Sequence, residues 1–170
     1  MKPPFIIERL DEHDRNSFDC GVEALNEYFR RRVGQDVRRR MTACYVAVER
    51  ETNRIAGYYT LAAYGIALPD LPTDLAKKLP RYSTVPAVRI GRLAVDQGFR
   101  GRKLGGVLLY DAIDRTCQSG IAAYAVVVDA KDESAVAFYE HHGFQRFRGE
   151  AQSLFMPINN GLRNWVERGQ

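Results

Sequence analysis

The hydrophobic positions of this chain fall into continuous runs and helically spaced sets. Continuous β-branched or aromatic runs predict strands, which cover residues 5–9, 42–48, 55–66, 88–95, 122–129, 144–147 and 154–157. Apolar residues at three- and four-residue spacing predict helices over residues 104–116 and 132–142. A first helix is predicted after Asp19, which would act as its N-cap. The apolar face of this helix consists of Val22, Leu25, Phe29 and Val33.

The connections between these elements are polar or rich in proline. The sequence E-R-E-T-N-R after residue 48 predicts a hairpin-like turn, and Gly57 in the next strand favours a β-bulge. Three prolines predict that residues 67–82 form a surface loop with at most a short helix near 73–78. The polar residues 159–170 predict either a short helix around Trp165 or a frayed tail.

The order of the elements predicts a mixed α/β fold. The hairpin makes the first half largely antiparallel, whereas the buried runs at 88–95 and 122–129 flank a helix and predict a parallel βαβ unit. At 170 residues the chain is most simply one domain, 1–170, with one sizeable core.

The strand, loop and helix between residues 88 and 116 carry the strongest chemical signal. The polar loop 96–103 adds three positive charges, from Arg100, Arg102 and Lys103. The following helix opens with amide groups that have no partner within the helix, and its dipole favours negative charge there. Gly105 and Gly106 allow close approach to the backbone. This stretch predicts a site for a phosphate-bearing ligand, although neither G-x-x-x-x-G-K-[ST] nor G-x-G-x-x-G is present.

Charge is distributed unevenly along the chain. The net charge is +4, from 25 basic and 21 acidic residues. Residues 30–40 hold six arginines and one aspartate, and residues 81–103 hold six basic residues and one aspartate. Such clusters favour polyanionic partners. A solvated helix face would explain the arginines of residues 30–40 equally well.

The cysteine and hydropathy patterns indicate in which cellular compartment the protein is expected. Cys20, Cys44 and Cys117 are odd in number and widely spaced, which predicts free thiols rather than disulfides or a metal site. No apolar run approaches the ~20 residues of a membrane span. Glu8 and Arg9 interrupt the N-terminal apolar run, so no signal peptide is expected. We therefore expect a cytoplasmic protein without membrane association.

Two blocks of sequence resemble the GNAT family of N-acetyltransferases. R-G-R-K-L-G, residues 100–105, resembles the acetyl-CoA loop Q/R-x-x-G-x-G/A, with Lys103 where the inner glycine is usual. Residues 132–144 resemble the second signature, N-x-x-A-x-x-F-Y-x-x-x-G-F, with Asp132 in place of asparagine. The resemblance implies the GNAT acyl-CoA N-acyltransferase fold, a mixed central sheet flanked by helices, and acetyl-CoA as cofactor. An ordinary α/β crossover with a capping loop is the simpler alternative.

The resemblance also implies which residues bind the cofactor. Main-chain groups at the end of the central strand would hold the pantetheine arm and the acetyl group, and they belong to Leu93, Ala94 and Val95. The pyrophosphate would lie on the residues Arg100, Gly101, Arg102, Lys103, Leu104, Gly105 and Gly106. Asp132 and Phe138 of the second block belong to the same cofactor-binding set. Strand 122–129 is expected to splay from its neighbour and leave room for the cofactor arm.

Tyr139 is the predicted catalytic residue. At this place in F-Y-x-x-x-G-F the family often has a tyrosine that acts as general acid for the leaving thiolate. A phenol with a reference pKa of ~10 is protonated at neutral pH and can donate its proton. Without the motif, packing beside Phe138 would be the simpler interpretation. His141 and His142 are expected to cap the helix or to lie at the surface.

The absence of a clear general base indicates the kind of amine. Asp96 is the only carboxylate near the end of the central strand. A lysine side chain has a pKa of ~10.4, whereas an α-amine has one of ~7.7–8.0 and is already partly neutral at pH 7. A site without a base therefore favours an α-amine.

The segment F-D-C-G-V-E-A-L-N-E-Y-F, residues 18–29, is similar to the opening of GNAT toxins from bacterial toxin–antitoxin pairs. This resemblance implies an aminoacyl-tRNA substrate and inhibition of translation. The RNA phosphates would contact Arg30, Arg31, Arg38, Arg89 and Arg92. It also implies a homodimer and a ribbon-helix-helix antitoxin. The toxin would contact DNA only through this antitoxin. Two alternatives stay open: a GNAT for a small amine or protein N-terminus, and a non-catalytic acetyl-CoA-binding regulator.

Overall fold

Strands and helices alternate along the chain much as the hydrophobic pattern predicts. The computed structural model describes residues 2–149 and 152–158. The strands in this part of the chain are β1 (Phe5–Arg9), β2 (Ala43–Glu49), β3 (Ile55–Ala67), β4 (Thr84–Val95), β5 (Ala125–Asp129), β6 (Gln145–Arg146) and β7 (Ser153–Pro157). The α-helices there are α1 (Glu23–Glu27), α2 (Val33–Arg38), α3 (Thr73–Ala76), α4 (Leu104–Gln118) and α5 (Glu133–His141). The predicted tail 159–170 lies outside the described residues.

The described strands form one mixed sheet in the order β1-β2-β3-β4-β5-β7-β6. β1 and β2, β2 and β3, β5 and β7, and β6 and β7 pair antiparallel. β4 and β5 pair in parallel, from Ala87↔Ala125 to Ile90↔Val128, and α4 connects them. This arrangement confirms the predicted mixed α/β fold with a βαβ unit.

The described chain divides into two compact units. The first contains residues 2–62 and 91–112, and the second contains residues 63–90 together with the described residues between 113 and 158. Each unit has a core of its own. Phe18, Phe29 and Tyr58 are fully buried in the first core, where the rings of Phe29 and Tyr58 stack 4.2 Å apart. Phe147 and Phe155 pack 4.7 Å apart in the second core.

The first helix differs from its prediction at its start and in its middle. Asp19 is not the N-cap, because α1 begins at Glu23 with Val22 in the cap position and no side-chain cap bond. The Asp19 carboxylate instead accepts a hydrogen bond from the Gly21 amide at 2.9 Å, so it closes a turn ahead of the helix. Between α1 and α2 the helix widens into a π-helical turn, Tyr28–Arg32. The predicted apolar face packs into the first core as expected.

The β2–β3 hairpin is confirmed, and it contains the predicted irregularity. The register passes from Ala47↔Gly57 to Val48↔Ile55, so β3 carries one extra residue beside Gly57. Gly57 also sits where a Cβ atom would lie 2.9 Å from the Ala94 carbonyl oxygen and 2.9 Å from Leu108 Cδ1. The absent side chain therefore lets β3 approach both neighbours closely.

Several boundaries in the second unit were predicted wrongly. β4 begins at Thr84 rather than at residue 88. Pro86 has no amide hydrogen to donate, but its carbonyl still accepts a hydrogen bond from the Tyr124 amide at 2.8 Å, so the strand can include it. β5 begins at Ala125 rather than 122, since Ala122 lies exposed ahead of the strand. The strand predicted over 144–147 is reduced to two residues, β6.

Residues 67–82 were predicted as a surface loop with a short helix. α3 confirms the helix. The segment is not wholly superficial, however, because Leu71 is 1% exposed and packs into the second core together with Leu68, Leu75, Ala76 and Leu79. Prolines interrupt this run of leucines, so the sequence shows no helical or strand periodicity that would predict their burial.

The cysteines are free thiols, as predicted, with Cys20 and Cys44 buried. Burial raises the pKa of Cys44 to about 12, so this thiol stays protonated and unreactive. Among the described residues no group of three or more His, Cys, Asp or Glu side chains is arranged to hold a metal ion. The described helices include none with the length and apolar character of a membrane span.

Candidate active site

The start of α4 is built to receive an anion. Leu104 and Leu108 are buried and fix the helix in the first core, while Gly105 and Gly106 stay partly accessible. The first turn contains no acidic residue that would neutralise the positive helix end. The Val107 amide donates to the Lys103 carbonyl at 3.3 Å, so the amides before Val107 precede the regular helical bonds. These are the residues for which the sequence predicts contact with the pyrophosphate of acetyl-CoA, and that placement stays a prediction.

Lys103 adopts a backbone conformation that explains the usual glycine in the loop motif. Its φ is +59°, in the left-handed region, and Gly101 two residues earlier has a φ of +81°. The loop therefore turns through left-handed positions just before the helix. Lysine accepts this conformation at a cost of roughly 1–2 kcal/mol. The residue is exposed and directly precedes α4 in the chain.

The three basic side chains of the loop have different surroundings. Arg100 Nη2 donates to the Cys20 carbonyl at 2.7 Å, so this guanidinium is engaged with the turn before α1. Arg102 Nη1 lies 3.4 Å from Glu49 Oε1, and its guanidinium lies 5.5 Å from the centre of the Phe99 ring. Lys103 therefore offers the side-chain charge nearest in sequence to the opening amides of α4.

The end of β4 holds the other predicted cofactor residues of the first unit. Leu93 and Val95 are partly exposed, whereas Ala94 is buried beneath Gly57. The Asp96 amide donates to the Ala56 carbonyl at 2.8 Å, which ties the strand end to β3. The parallel register with β5 ends at Ile90, five residues before β4 ends.

Asp96 is a structural carboxylate. Its side chain is 6% exposed and accepts hydrogen bonds from the Gly98 amide at 2.8 Å and the Asp19 amide at 2.9 Å. Arg54 Nη2 lies 4.0 Å from the same carboxylate. Both oxygens are thus engaged within the protein. The bonds between Asp96 and the α1 turn were missed, because residues 77 positions apart give no local signal.

Tyr139 lies on α5 in the second unit. Its side chain is 8% exposed, and its ring packs 5.1 Å from the Phe138 ring and 5.5 Å from the Phe144 ring. Burial, and secondarily the charge of Asp129, raises the pKa of Tyr139 to about 12. The phenol therefore carries its proton across the whole physiological range.

The rest of the second block shapes α5. Asp132 is the N-cap as predicted, since its carboxylate accepts the Ala135 amide at 2.8 Å. Aspartate serves this role as well as asparagine, which accounts for the departure from the family motif. His142 Nδ1 lies 2.8 Å from the Phe138 carbonyl and caps the other end of the helix. The cofactor roles predicted for Asp132 and Phe138 stay predictions.

The five arginines predicted to contact RNA fall into two groups. Three have internal partners: Arg30 Nε donates to the Phe18 carbonyl, Arg89 pairs with Asp129 at 2.8 Å, and the Arg92 guanidinium lies 3.4 Å from the centre of the Tyr28 ring. Arg31 and Arg38 are exposed.

Known proteins are similar to this chain in sequence and in fold. The family model described as "Acetyltransferase (GNAT) family" matches residues 7–144. A probable toxin TacT from Sinorhizobium fredii is 30% identical over 164 residues, which cover 90% of this chain and 91% of that protein. A tRNA-acetylating toxin from Mycobacterium tuberculosis is 35% identical over 137 residues, which cover 79% of this chain and 80% of that protein.

Solved structures are similar along nearly the whole chain. A tyrosine-to-phenylalanine mutant of KacT has a TM-score of 0.87 and 29% identity, covering 95% of this chain and 99% of its own. AtaT complexed with acetyl-methionyl-tRNAfMet has a TM-score of 0.86 and 28% identity, with the same coverage. A tyrosine-to-phenylalanine mutant of AtaT bound to the C-terminus of the antitoxin AtaR and acetyl-CoA has a TM-score of 0.78 and 25% identity, covering 99% and 100%. The chain therefore belongs to the GNAT family of acetyltransferases, as an N-acetyltransferase whose acetyl donor is acetyl-CoA.

Proposed function

We propose that this chain acetylates the α-amino group of aminoacyl-tRNA and thereby blocks translation. The observation that carries the proposal is similarity over 95% of the chain to a toxin complexed with acetyl-methionyl-tRNA, joined to 35% identity with a tRNA-acetylating toxin. The described residues add two supports of their own. The Asp96 carboxylate at the end of β4 is engaged within the protein, and Arg31 in the π-helical turn and Arg38 at the end of α2 are exposed.

The proposed division of labour follows from the residues on each element. Bound acetyl-CoA supplies an acetyl thioester for attack by the amine. The opening amides of α4 and the Lys103 ammonium bind the pyrophosphate. Main-chain groups of Leu93, Ala94 and Val95 hold the pantetheine arm and the acetyl group. Tyr139 would donate its phenolic proton to the departing thiolate, solvent would take the proton that the attacking nitrogen loses, and solvent would then reprotonate Tyr139.

The state of Asp96 favours an α-amine over a lysine side chain. Both oxygens of this carboxylate accept main-chain amides, and one of them also faces Arg54, so the group is engaged within the protein and poorly placed to take a proton from substrate. Without a base, the amine must arrive neutral. An α-amine with a pKa of ~7.7–8.0 meets this requirement near pH 8, and a lysine with a pKa of ~10.4 does not.

Exposed arginines supply the proposed contact with RNA. Arg31 and Arg38 present their charges to solvent, whereas Arg30, Arg89 and Arg92 have partners within the protein. Exposed guanidinium groups bind phosphates without reading the bases. We therefore assign the first contacts with the tRNA backbone to Arg31 and Arg38.

The same proposal covers the partners. We propose that residues 1–170 work as one GNAT domain in a cytoplasmic homodimer, and that a ribbon-helix-helix antitoxin neutralises it and provides its sole contact with DNA. Similarity to AtaT bound to the C-terminus of its antitoxin supports this partner. A basic surface suits an acidic or amphipathic antitoxin tail.

A labelling assay tests the substrate assignment. Purified protein with labelled acetyl-CoA and a pool of charged tRNA is expected to place the label on the aminoacyl group, which is read after mild alkaline release. Uncharged tRNA, free amino acids and an N-terminal peptide are the controls. Label in the free amino acid or the peptide at a comparable rate, with none in charged tRNA, would contradict the proposal and favour a small-amine or N-terminal acetyltransferase.

Replacement of both Arg31 and Arg38 by glutamine is expected to raise the KM for aminoacyl-tRNA about tenfold at physiological salt. The KM for acetyl-CoA should stay within twofold, because these side chains lie away from the α4 loop in sequence and serve the RNA alone. Two lost phosphate contacts should also flatten the dependence of log KM on log salt by about two. Steady-state kinetics at several salt concentrations measure both effects. Replacement of both Lys77 and Lys78 by glutamine removes two exposed charges from the second unit and serves as the matched control; an equal effect there would refute a local RNA contact.

A further inference from the structure

The loop between β4 and α4 is fastened to the turn that precedes α1. Asp96 stands at the first position of this loop, and its buried carboxylate holds two main-chain amides. One amide belongs to Gly98 within the loop, at 2.8 Å, and the other belongs to Asp19 in the turn, at 2.9 Å. The Gln97 amide returns a bond to the Asp19 carbonyl at 2.9 Å. One carboxylate thus joins two segments that are distant in sequence.

The Asp19 side chain adds a second set of bonds at the same junction. Its Oδ1 accepts from the Gly21 amide at 2.9 Å, from Asn26 Nδ2 at 2.9 Å and from Gln97 Nε2 at 3.2 Å. These bonds hold the pKa of Asp19 below its usual value, so the acceptor stays charged. Asn26 is 2% exposed and completes the turn by accepting the Cys20 amide at 2.8 Å.

A third connection is made at Arg100, in the second half of the loop. Arg100 Nη2 donates to the Cys20 carbonyl at 2.7 Å. The turn therefore contacts the loop at residue 96, at residue 97 and at residue 100. Only Gly101, Arg102 and Lys103 separate the last of these contacts from the first residue of α4. A loop held at these three positions loses less conformational entropy when it binds a ligand than a free loop would.

We infer that Asp19 and Asp96, supported by Asn26, are positioning residues that hold the acetyl-CoA loop in its binding conformation. This inference rests on the proposed placement of the pyrophosphate at the start of α4. It assigns a role to the segment 18–29, whose likeness to toxin sequences had no structural account. Neither carboxylate touches substrate in this role, and Asp96 takes no proton from the amine.

If these residues position the loop, replacing them should weaken the binding only of acetyl donors that carry the pyrophosphate. Asp19→Ala is expected to raise the KM for acetyl-CoA about tenfold, which corresponds to about 1.4 kcal/mol of binding free energy. The kcat at saturating acetyl-CoA and the KM for the acceptor should stay within twofold. With acetyl-pantetheine, which lacks the pyrophosphate, kcat/KM should not change. Asp19→Asn retains an acceptor oxygen and should restore most of the affinity for acetyl-CoA.

Two further variants separate positioning from folding and from base catalysis. Asp96→Asn removes one acceptor of the junction and should reproduce the selective loss with acetyl-CoA. Val85→Ala opens a small cavity in the core of the second unit and reports the effect of lower stability alone. It should leave the ratio of acetyl-CoA to acetyl-pantetheine activity unchanged.

The outcomes distinguish this inference from the function it rests on. If the wild-type protein has the same kcat/KM with acetyl-pantetheine as with acetyl-CoA, the proposed pyrophosphate site is wrong. If the wild type prefers acetyl-CoA but Asp19→Ala and Asp96→Asn lose activity equally with both donors, the positioning role is overturned. A fall in kcat for Asp96→Asn with both donors would identify that carboxylate as a base instead.

Discussion

Replacement of Tyr139 by phenylalanine is expected to lower kcat by two to three orders of magnitude while leaving the affinity for acetyl-CoA unchanged. Loss of a positioned general acid costs about 10²–10⁴-fold in rate, and 10²–10³-fold corresponds to about 3–4 kcal/mol in activation free energy. The phenyl ring preserves the packing of Tyr139 against Phe138 and Phe144, so the fold should be unaffected. Single-turnover transfer to aminoacyl-tRNA and calorimetric titration with acetyl-CoA measure the two quantities.

The dependence of this reaction on pH provides an independent test of the same residue. Activity should rise with pH through the pKa of the substrate's α-amine, which is ~7.7–8.0 in a peptide and lower in an aminoacyl ester, as the amine becomes neutral. Burial raises the pKa of Tyr139 to about 12, so the phenol keeps its proton and no descending limb should appear below pH 10. Tyr139→Phe should lower the whole profile without moving the ascending limb.

A matched tyrosine in the same unit provides the control. Tyr124 is partly buried and has no proposed part in the reaction, so Tyr124→Phe should keep kcat within twofold. A Tyr139→Phe protein with wild-type turnover would show that Tyr139 serves packing alone. A variant that loses acetyl-CoA binding together with turnover would point to a cofactor-binding role instead.

Replacement of Gly57 by alanine is expected to destabilise the fold by about 2–3 kcal/mol. The new methyl group would lie 2.9 Å from the Ala94 carbonyl oxygen and 2.9 Å from Leu108 Cδ1, and the carbonyl belongs to main chain that cannot rotate away. The melting temperature should fall by roughly 4–12 °C. Because β3 must move away from Ala94, the KM for acetyl-CoA should rise as well.

Replacement of Gly34 by alanine should have the opposite effect and stabilise the fold. Gly34 lies in α2, where a new Cβ would meet the flexible ends of Arg38 and Arg15 at 3.3 Å or more. Alanine is favoured over glycine in a helix by about 1 kcal/mol, so Gly34→Ala should raise the melting temperature slightly. Thermal unfolding of both variants side by side measures the contrast. Equal melting temperatures would mean that β3 can shift without cost.

Local patterns were sufficient to predict the elements that carry the site. The run before residue 96 and the spacing of Leu104, Leu108 and Ala112 predicted β4 and α4, because burial on a strand or a helix face leaves a short-range period. The departures from the family motifs also had local causes. Lys103 occupies a left-handed position and Asp132 caps α5, and both roles are set by neighbouring residues.

Long-range contacts account for what the sequence did not predict. Asp19 was assigned to a helix cap because aspartate favours that position, yet its bonds go to a turn and to a loop far along the chain. The partners of Arg30, Arg89 and Arg92 likewise depend on tertiary structure, so charge counting could not separate them from Arg31 and Arg38. Leu71 was hidden between prolines for the same reason.

The π-helical turn Tyr28–Arg32 changes how the basic segment should be drawn on a helical wheel. Successive side chains of an α-helix are rotated by about 100° around the helix axis. The π-helical turn has more residues per turn, so each residue is rotated by less, and every later side chain points away from its α-helical direction. Loss of a single residue from the turn would restore the ordinary phase and swing the side chains of α2 around the helix axis. Charged positions in homologous segments are therefore comparable only when the wide turn is shared.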